Sequence, residues 1–322
     1  MAEETDPIER FYARYKADLE LEKIQNGPHW HRLIWQEAYN RDYSMDWLVD
    51  GLWPVGRHLH VFAAAKTGKS LLFLWIAANI AIGRDPFTNT KTVARIVAYV
   101  DREMTEQDVI ERCQDMGFEW EDLENLCYYL FPDVEPLDTN EGGKQIVELV
   151  DECQAEVLML DTLSRVVRGE ENSNDTYRNF HLYTGSRLKA RGISMARLDH
   201  EGKVSGSSRG ASAKVDDVDL VYQMQAVEGG LKLKKTAARV SFTRDDISLV
   251  KGDDPLSFSS TGERLWPAGT MDRAKLMDDL DMPIDITKRQ AMALFRDHDM
   301  PPGKTTILLA AINYRKWKLP LL

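Results

Sequence analysis

The sequence predicts an α/β fold with a parallel central sheet, and two observations lead to this expectation. Between residues 45 and 250, short β-rich runs alternate with segments of helical periodicity, as in strands joined by crossover helices. The chain has 322 residues, of which 43% are hydrophobic and 29% charged, enough for one sizeable domain with a real core and for smaller additions. We therefore expect an α/β core flanked by appendages.

The elements of this core are expected in alternating order. The β-rich runs predict strands at 58–63, 94–101, 127–131, 156–161, 193–199 and 219–224, followed by a hairpin of 231–235 with 239–243. Helical periodicity predicts helices at 69–82, 105–116, 144–154 and 175–191. Together these elements predict one domain over residues 45–250.

The two ends of the chain differ from this core. Residues 1–44 alternate charges and aromatics at roughly helical spacing, broken at Gly27 and Pro28, which predicts a helical arm. The arm is either a packing extension or a segment that docks on a neighbouring subunit. Glycines and prolines among polar residues predict a linker at 251–269. Short helices at 271–280, 286–297 and 304–318 then predict a helix-turn-helix-like module over 270–322.

A phosphate-binding loop is predicted where the first central strand turns into its helix. It consists of Ala63, Ala64, Ala65, Lys66, Thr67, Gly68, Lys69 and Ser70. Backbone N–H groups at such a helix N-terminus point at phosphate oxygens, and the ammonium of Lys69 neutralises the β and γ phosphates. The Ser70 hydroxyl reaches Mg²⁺, so ATP and Mg²⁺ are the expected ligands. Ala63 departs from the usual pattern, which has glycine in this place.

Three further side chains stand at the ends of expected strands. Asp161 ends an apolar strand, and in a phosphate-loop fold such an aspartate holds the water shell of Mg²⁺. Glu103 follows the strand 94–101, where it either deprotonates the attacking water or merely caps the helix that starts near Thr105. His200 ends the strand after that of Asp161, and is either a structural histidine or a γ-phosphate sensor.

This constellation resembles the RecA-like ATPases, most closely the RepA-type hexameric helicase branch of plasmids and phages, and more distantly the DnaB-like helicases. The residues that carry the resemblance are 66–70, 103–104, 161–165, 169–173, 200–203, 208–212 and 216–219. The resemblance implies a ring or filament with ATP between subunits. It also implies that Glu103 is the catalytic base, that Asp161 binds magnesium and that His200 is the γ-phosphate switch.

A positive residue that reaches into the neighbouring subunit is a further implication of the resemblance. It would stabilise charge on the transferred phosphoryl group. The candidates are Arg209 and, on the late hairpin, Lys235 and Arg239. Arg209 could instead pair with Asp216 or Asp217 within its own chain.

DNA contacts are expected in loops, because a formal net charge of −11 makes the surface as a whole repel nucleic acid. Two loops face the ring axis in this fold, and they hold Arg165, Arg168, Lys203, Arg209 and Lys214. Both loops could also be ordinary solvated surface. The end of the chain supplies Lys304, Arg315, Lys316 and Lys318, on a helix that binds either DNA or a protein.

The leading hypothesis is a DNA-dependent ATPase that acts as a helicase or translocase on single-stranded DNA in replication, as an oligomeric ring for which a hexamer is the candidate form. The alternatives are a recombinase or mediator that forms filaments, and an ATP-switched loader or regulator that works through its C-terminal helices. Replication or recombination proteins are candidate partners. The longest apolar run, 71–82, is too short to cross a bilayer and the N-terminus is acidic, so we expect a cytoplasmic protein without a membrane contact.

Overall fold

A computed structural model describes residues 33–40, 46–170, 173–201, 213–227, 230–240, 242–260 and 269–318. These residues fall into two units divided between Tyr43 and Ser44. In the first unit the structure describes one helix, α1 (Trp35–Asn40), in which the rings of Trp35 and Tyr39 lie 6.2 Å apart. The rest of the expected N-terminal arm lies outside the described residues.

The second unit contains the α/β core and the C-terminal helices. Its strands are β1 (Trp47–Val49), β2 (Trp53–Pro54), β3 (His58–Ala63), β4 (Val97–Asp101), β5 (Leu126–Leu130), β6 (Val157–Asp161), β7 (Ser194–His200), β8 (Leu220–Val227), β9 (Gly230–Ala238), β10 (Asp246–Asp253) and β11 (Leu256–Ser260). Its helices are α2 (Lys69–Ala81), α3 (Glu106–Asp115), α4 (Asn140–Glu152), α5 (Leu163–Val166), α6 (Asn174–Phe180), α7 (Ser186–Ala190), α8 (Ala213–Asp216), α9 (Thr270–Asp279), α10 (Lys288–Asp297) and α11 (Thr305–Lys318).

The α/β fold expected from the sequence is confirmed by the main sheet. Among the described residues, nine strands form this sheet in the order β11-β10-β9-β8-β3-β7-β6-β4-β5. The six strands from β8 to β5 pair in parallel, and β9, β10 and β11 extend the sheet through antiparallel pairs. Because the carboxyl ends of β3, β7, β6 and β4 meet at one edge, the residues that follow them lie close together.

Burial on both faces explains why β4 is apolar up to Asp101 instead of alternating between apolar and polar residues. In β4, Val97 and Tyr99 belong to the core on one face, whereas Ala98 and Val100 belong to the core on the other. Every residue of β3 is buried as well. Parallel strands covered by helices on both faces need this pattern, because neither face meets water.

The connection between α6 and α7 depends on close helix packing. A π-helical turn (His181–Gly185) joins α6 to α7 into one continuous helix that packs against α4. At Gly143 of α4, an added methyl group would overlap the carbonyl oxygen of Tyr183 in this turn. Glycine is therefore required there for the two helices to approach each other.

The expected hairpin of 231–235 with 239–243 is wrong in its second arm. β9 pairs with β10, so that Lys234 lies opposite Asp246. Residues 239, 240 and 242–245 lie in the connection between these strands. Its apolar residues pack without strand pairing: Phe242 meets Trp47 edge-on with ring centroids 6.3 Å apart, and Val240 packs against the core. Because its apolar side chains pack against the core, this connection has the residue pattern of a strand although its described residues form no strand pairs.

The expected linker at 251–269 is also partly wrong, because residues 251–260 belong to the sheet. β10 and β11 form a tight hairpin that turns through a cis Asp254–Pro255 bond. Phe258 of β11 is buried, and its ring lies 6.4 Å from that of Trp75 on α2. Residues 261–268 lie outside the described residues.

The C-terminal helices α9, α10 and α11 lie close to the expected bounds. They share a core of their own that includes Met277, Ala291, Phe295, Leu308 and Ala311. Thr287 caps α10 by accepting a hydrogen bond from the N–H of Gln290 at 3.3 Å. In the described part of the chain, no helix is both long and apolar enough to span a membrane.

Candidate active site

The loop after β3 joins the strand to α2, as the phosphate-loop pattern predicts. Gly68 adopts a left-handed backbone with φ of 88°, which favours glycine, and Lys66 shares this region with φ of 62°. Lys69 begins α2 and is only 6% exposed. Inside the loop, the Thr67 hydroxyl donates to the carbonyl of Ala64 at 2.6 Å. The first helical turn thus presents its N–H groups and a buried ammonium at the sheet edge.

Ala63, which replaces the usual first glycine, is accommodated as a strand residue. It ends β3, is fully buried and pairs with His200 on one side and Met224 on the other. Its carbonyl accepts the N–H of Glu201 at 2.8 Å. An extended residue in the middle of a sheet does not need the left-handed freedom of glycine, so the replacement leaves the loop intact.

Asp161 lies beside the loop at the end of β6, almost completely buried. Its Oδ2 accepts the hydroxyl of Tyr99 at 2.8 Å. Burial raises the pKa of this carboxyl above its usual range, which a hydrogen bond from Ser70, the hydrogen bond from Tyr99 and the nearby ammonium of Lys69 oppose. These contacts bring Asp161 together with the two phosphate-loop residues expected to bind phosphate and metal.

The second oxygen of Asp161, Oδ1, is buried and has no hydrogen-bond partner within the described part of the chain. A buried carboxylate oxygen without a partner is costly unless a ligand completes it. With the Ser70 hydroxyl adjacent, the donor set is all oxygen, which suits Mg²⁺ and the water molecules it retains. The residues present therefore fit a magnesium ion, which Ser70 and Asp161 would hold and which would neutralise charge on the phosphate oxygens.

Glu103 follows β4 and reaches the same edge. Its Oε1 accepts the hydroxyl of Thr162 at 3.3 Å and lies 3.7 Å from Nε of Arg165. The side chain is 31% exposed, so it is open to water. The expected alternative, that Glu103 only caps the next helix, is wrong, because Thr105 and Asp108 cap α3 with reciprocal hydrogen bonds.

His200 ends β7, directly beside the phosphate loop. It pairs with Ala63, the last residue of β3, and its own N–H donates to Oδ1 of Asp199 at 2.8 Å. The imidazole is partly exposed. The structure thus brings His200 to the edge at which Lys69, Glu103 and Asp161 also lie.

A comparison with family models gives one match, to the AAA domain, over residues 31–206. The chain belongs to the AAA domain family. Membership implies nucleotide binding, typically with Mg²⁺, and ATP hydrolysis in general. No curated protein matches the chain.

Two tyrosines and an aspartate of this AAA domain were missed by sequence reasoning. Asp101, at the end of β4, is fully buried and accepts the N–H of Glu103 at 2.7 Å and the hydroxyl of Tyr128 at 2.6 Å. The rings of Tyr128 and Tyr99 stack with centroids 4.7 Å apart. Burial raises the pKa of both tyrosines well above the usual range, so their hydroxyls remain donors. The sequence signal is a Tyr-x-Asp spacing at the end of β4, which covers Tyr99 and Asp101 but not Tyr128.

Of the basic residues expected in the two DNA-binding loops, the structure describes the side chains of Arg165 and Arg168. Arg165 is 64% exposed, and Arg168 is exposed while its N–H donates to Oδ1 of Asp138 at 2.8 Å. Lys203 and Arg209 lie outside the described residues, as does the side chain of Lys214. Arg165 and Arg168, in the first of these loops, therefore expose their guanidinium groups to solvent.

The hairpin candidates for a residue acting in the neighbouring subunit are held within their own chain. Nζ of Lys235 lies 2.7 Å from Oδ1 of Asp245 and donates to the carbonyl of Thr243 at 2.8 Å. The exposed Arg239 donates to the carbonyl of Asp216. Lys235 is thereby engaged in the β9–β10 connection and poorly placed to leave it.

The expectation that Arg315 contacts DNA is wrong, because Arg315 is a buried structural residue. It is 4% exposed, with Nε 2.6 Å from Oδ1 of Asp278, and its Nη1 donates to the carbonyl of Pro283 at 3.1 Å. A second carbonyl, that of Met282, accepts from Nη2. Lys304 and Lys316 are exposed, and the side chain of Lys318 lies outside the described residues.

Proposed function

We propose that this AAA domain protein is a DNA-dependent ATPase of the RepA-type hexameric helicase branch, a ring that moves on single-stranded DNA during replication. ATP hydrolysis at the edge of the sheet supplies the energy. Lys69 holds the phosphates, Ser70 and Asp161 hold magnesium, and Glu103 is the base that deprotonates the attacking water. His200 senses the γ-phosphate.

The observation that carries this proposal is the position of Arg165. It stands four residues after Asp161, at the start of the loop proposed to follow DNA, and it forms an ion pair with Glu103 at 3.7 Å. The same guanidinium is 64% exposed and can reach a phosphate of a passing strand. When it moves to DNA it leaves Glu103 free to act on water, which makes hydrolysis depend on DNA.

The size of this effect is limited by the exposure of the pair. Exposed ion pairs contribute about 0.2–1 kcal/mol, so the pair restrains basal hydrolysis by no more than about fivefold. Arg165→Gln should therefore change basal hydrolysis by less than about fivefold, and should lose most of the stimulation by DNA.

Steady-state hydrolysis with and without single-stranded DNA tests this coupling. Arg178→Gln is the matched control, because Arg178 is 70% exposed and pairs with Asp175 on its own helix α6, whereas Arg165 pairs with Glu103. It should respond to DNA as the wild type does. Undiminished stimulation of the Arg165 variant would remove the coupling role, and wild-type hydrolysis that ignores DNA would refute DNA dependence.

The role of Glu103 is tested by Glu103→Gln, which keeps the size of the side chain but cannot accept the proton. The variant should bind a fluorescent ATP analogue as the wild type does, while turnover falls by about 10²–10⁴-fold. Hydrolysis at the wild-type rate would show that another group is the base.

Strand displacement from a tailed duplex separates a motor from the alternatives. A helicase displaces the strand in the presence of ATP. Formation of joint molecules without displacement would favour a recombinase instead. Loss of DNA-stimulated hydrolysis after removal of residues 270–322 would favour a loader that acts through α9, α10 and α11.

Action of an arginine across the subunit interface is tested with Arg209→Ala, since Lys235 and Arg239 are engaged within the chain. Mixed with Lys69→Ala subunits, the Arg209 variant should regain part of the lost hydrolysis, because each mutant contributes the part that the other lacks. No gain at any mixing ratio would count against a shared site.

A further inference from the structure

Tyr128 and Tyr99 lie on neighbouring strands and repeat the same contact. They are paired in the β5–β4 register, and their rings stack at 4.7 Å with an angle of 10° between planes. Each hydroxyl reaches an aspartate two residues further along the next strand. Tyr128 of β5 donates to Asp101 of β4, and Tyr99 of β4 donates to Asp161 of β6.

The two aspartates sit side by side at the sheet edge. Asp101 and Asp161 are direct partners in the β4–β6 register, and both are buried. Asp161 turns Oδ2 to its tyrosine, which leaves Oδ1 for the metal. Asp101 turns Oδ2 to its tyrosine as well, and its Oδ1 accepts the N–H of Glu103 at 2.7 Å and of Met104 at 3.2 Å.

We propose that Tyr128, Asp101 and Tyr99 form a ladder of positioning residues that fixes the base Glu103 relative to the metal-binding Asp161. The proposal rests on the proposed roles of Glu103 and Asp161. Asp101 holds the backbone from which Glu103 projects, Tyr128 holds Asp101, and Tyr99 orients Asp161. The stacked rings keep these two arms at a constant separation.

A purely structural role does not account for this arrangement. Phenylalanines in place of the two tyrosines, with apolar residues in place of the two aspartates, would fill the same space without burying two carboxylates, which is costly unless every partner is supplied. The ladder also ends at the groups that must meet ATP, and not in the middle of the core. A displacement of about 1 Å at a reacting group can lower the rate by about 10²-fold. Holding Glu103 and Asp161 in place therefore offsets the free energy lost by burying the two carboxylates.

Tyr128→Phe tests the first arm, and Tyr129→Phe is its matched control. Tyr129 is the next residue of β5 and packs on the opposite face of the sheet. Its substitution also removes a tyrosine hydroxyl, but one that is not part of the ladder. We expect Tyr128→Phe to lower kcat by about 10- to 100-fold, while KM for ATP and the affinity for a fluorescent ATP analogue stay within about twofold. Tyr129→Phe should leave all three unchanged.

Asp101 offers a rescue test. Asparagine keeps an oxygen that can accept the N–H of Glu103, whereas alanine removes it, so Asp101→Asn should retain at least about tenfold more turnover than Asp101→Ala. Equal turnover of the two variants, or a loss shared with Tyr129→Phe, would overturn the ladder.

Tyr99→Phe tests the second arm through the metal. Without the donor to Oδ2, Asp161 can rotate, so the variant should need several-fold more Mg²⁺ for half-maximal hydrolysis and recover at high Mg²⁺. An unchanged Mg²⁺ requirement would contradict this arm. Glu103→Gln separates the two proposals. If it hydrolyses normally the assignment of the base fails, whereas if it is inactive and Tyr128→Phe is normal only the ladder fails.

Discussion

Replacing His58 by leucine should remove a specific sensitivity of folding to acid. His58 begins β3 and is fully buried, and both ring nitrogens lack a hydrogen-bond partner among the described residues. Burial and the ammonium of Lys189 lower its pKa from 6.5 to about 4, as does the Arg197 guanidinium, while Asp219 and Asp217 oppose the shift.

The direction in which the free energy of unfolding changes with pH follows from the number of protons bound in the folded and unfolded states. In the unfolded chain His58 takes up a proton as the pH falls through 6.5, whereas the folded protein does so only near pH 4. Between these values the unfolded state binds more protons, so acid lowers the free energy of unfolding. Above pH 6.5 neither state is protonated and the residue contributes nothing. The lowering from 6.5 to about 4 corresponds to about 3 kcal/mol at pH 4.

Urea unfolding followed by tryptophan fluorescence measures this difference. The free energy of unfolding of the wild type should fall by about 3 kcal/mol more than that of His58→Leu between pH 7 and pH 4. His58→Gln, which is also uncharged but packs differently, should behave as leucine does. Parallel losses in all three proteins would refute a buried neutral histidine at this position.

Three further substitutions test the site and the packing. Lys69→Ala should lower hydrolysis by at least about 10²-fold, because a charged donor to the transferred phosphate is lost, and a wild-type rate of phosphate release would refute the site. Asp278→Leu should cost about 3–5 kcal/mol in urea unfolding, because it leaves the guanidinium of Arg315, which is only 4% exposed, without its carboxylate, whereas Arg315→Met should cost less, because the carboxylate left behind on Asp278 is 53% exposed; equal costs would contradict the argument. Gly143→Ala should destabilise by about 1–3 kcal/mol through overlap with the π-helical turn, while Lys144→Ala on the exposed face should not; a more stable Gly143 variant would refute the packing requirement.

The parts of the site that sequence could predict are those encoded by neighbouring residues. The loop ending in Lys69 and Ser70 is contiguous, and Asp161 follows an uninterrupted apolar run. Both features are local, so their spacing alone indicates phosphate and metal binding. The parallel core was predictable for the same reason, because buried strands and crossover helices differ in period.

Contacts between strands could not be predicted in this way. The link from Tyr128 to Asp101 depends on the register of β5 against β4, which no local pattern reveals. Gly252 and Pro255 read as linker residues, although Gly252 lies in β10 and Pro255 in the tight turn to β11, because glycine and proline occur in linkers and in hairpins alike. Arg315 was counted with the basic residues of its helix, since composition does not tell which face meets the core.

The strand position of Ala63 bears on how such loops are recognised in other sequences. What the place requires is a small residue that fits between His200 and Met224 on the two adjacent strands, not a flexible one. A search pattern that insists on glycine here would overlook this chain. One that accepts alanine, and asks instead for a buried strand before it and a helix beginning with Lys-Ser after it, would retrieve it.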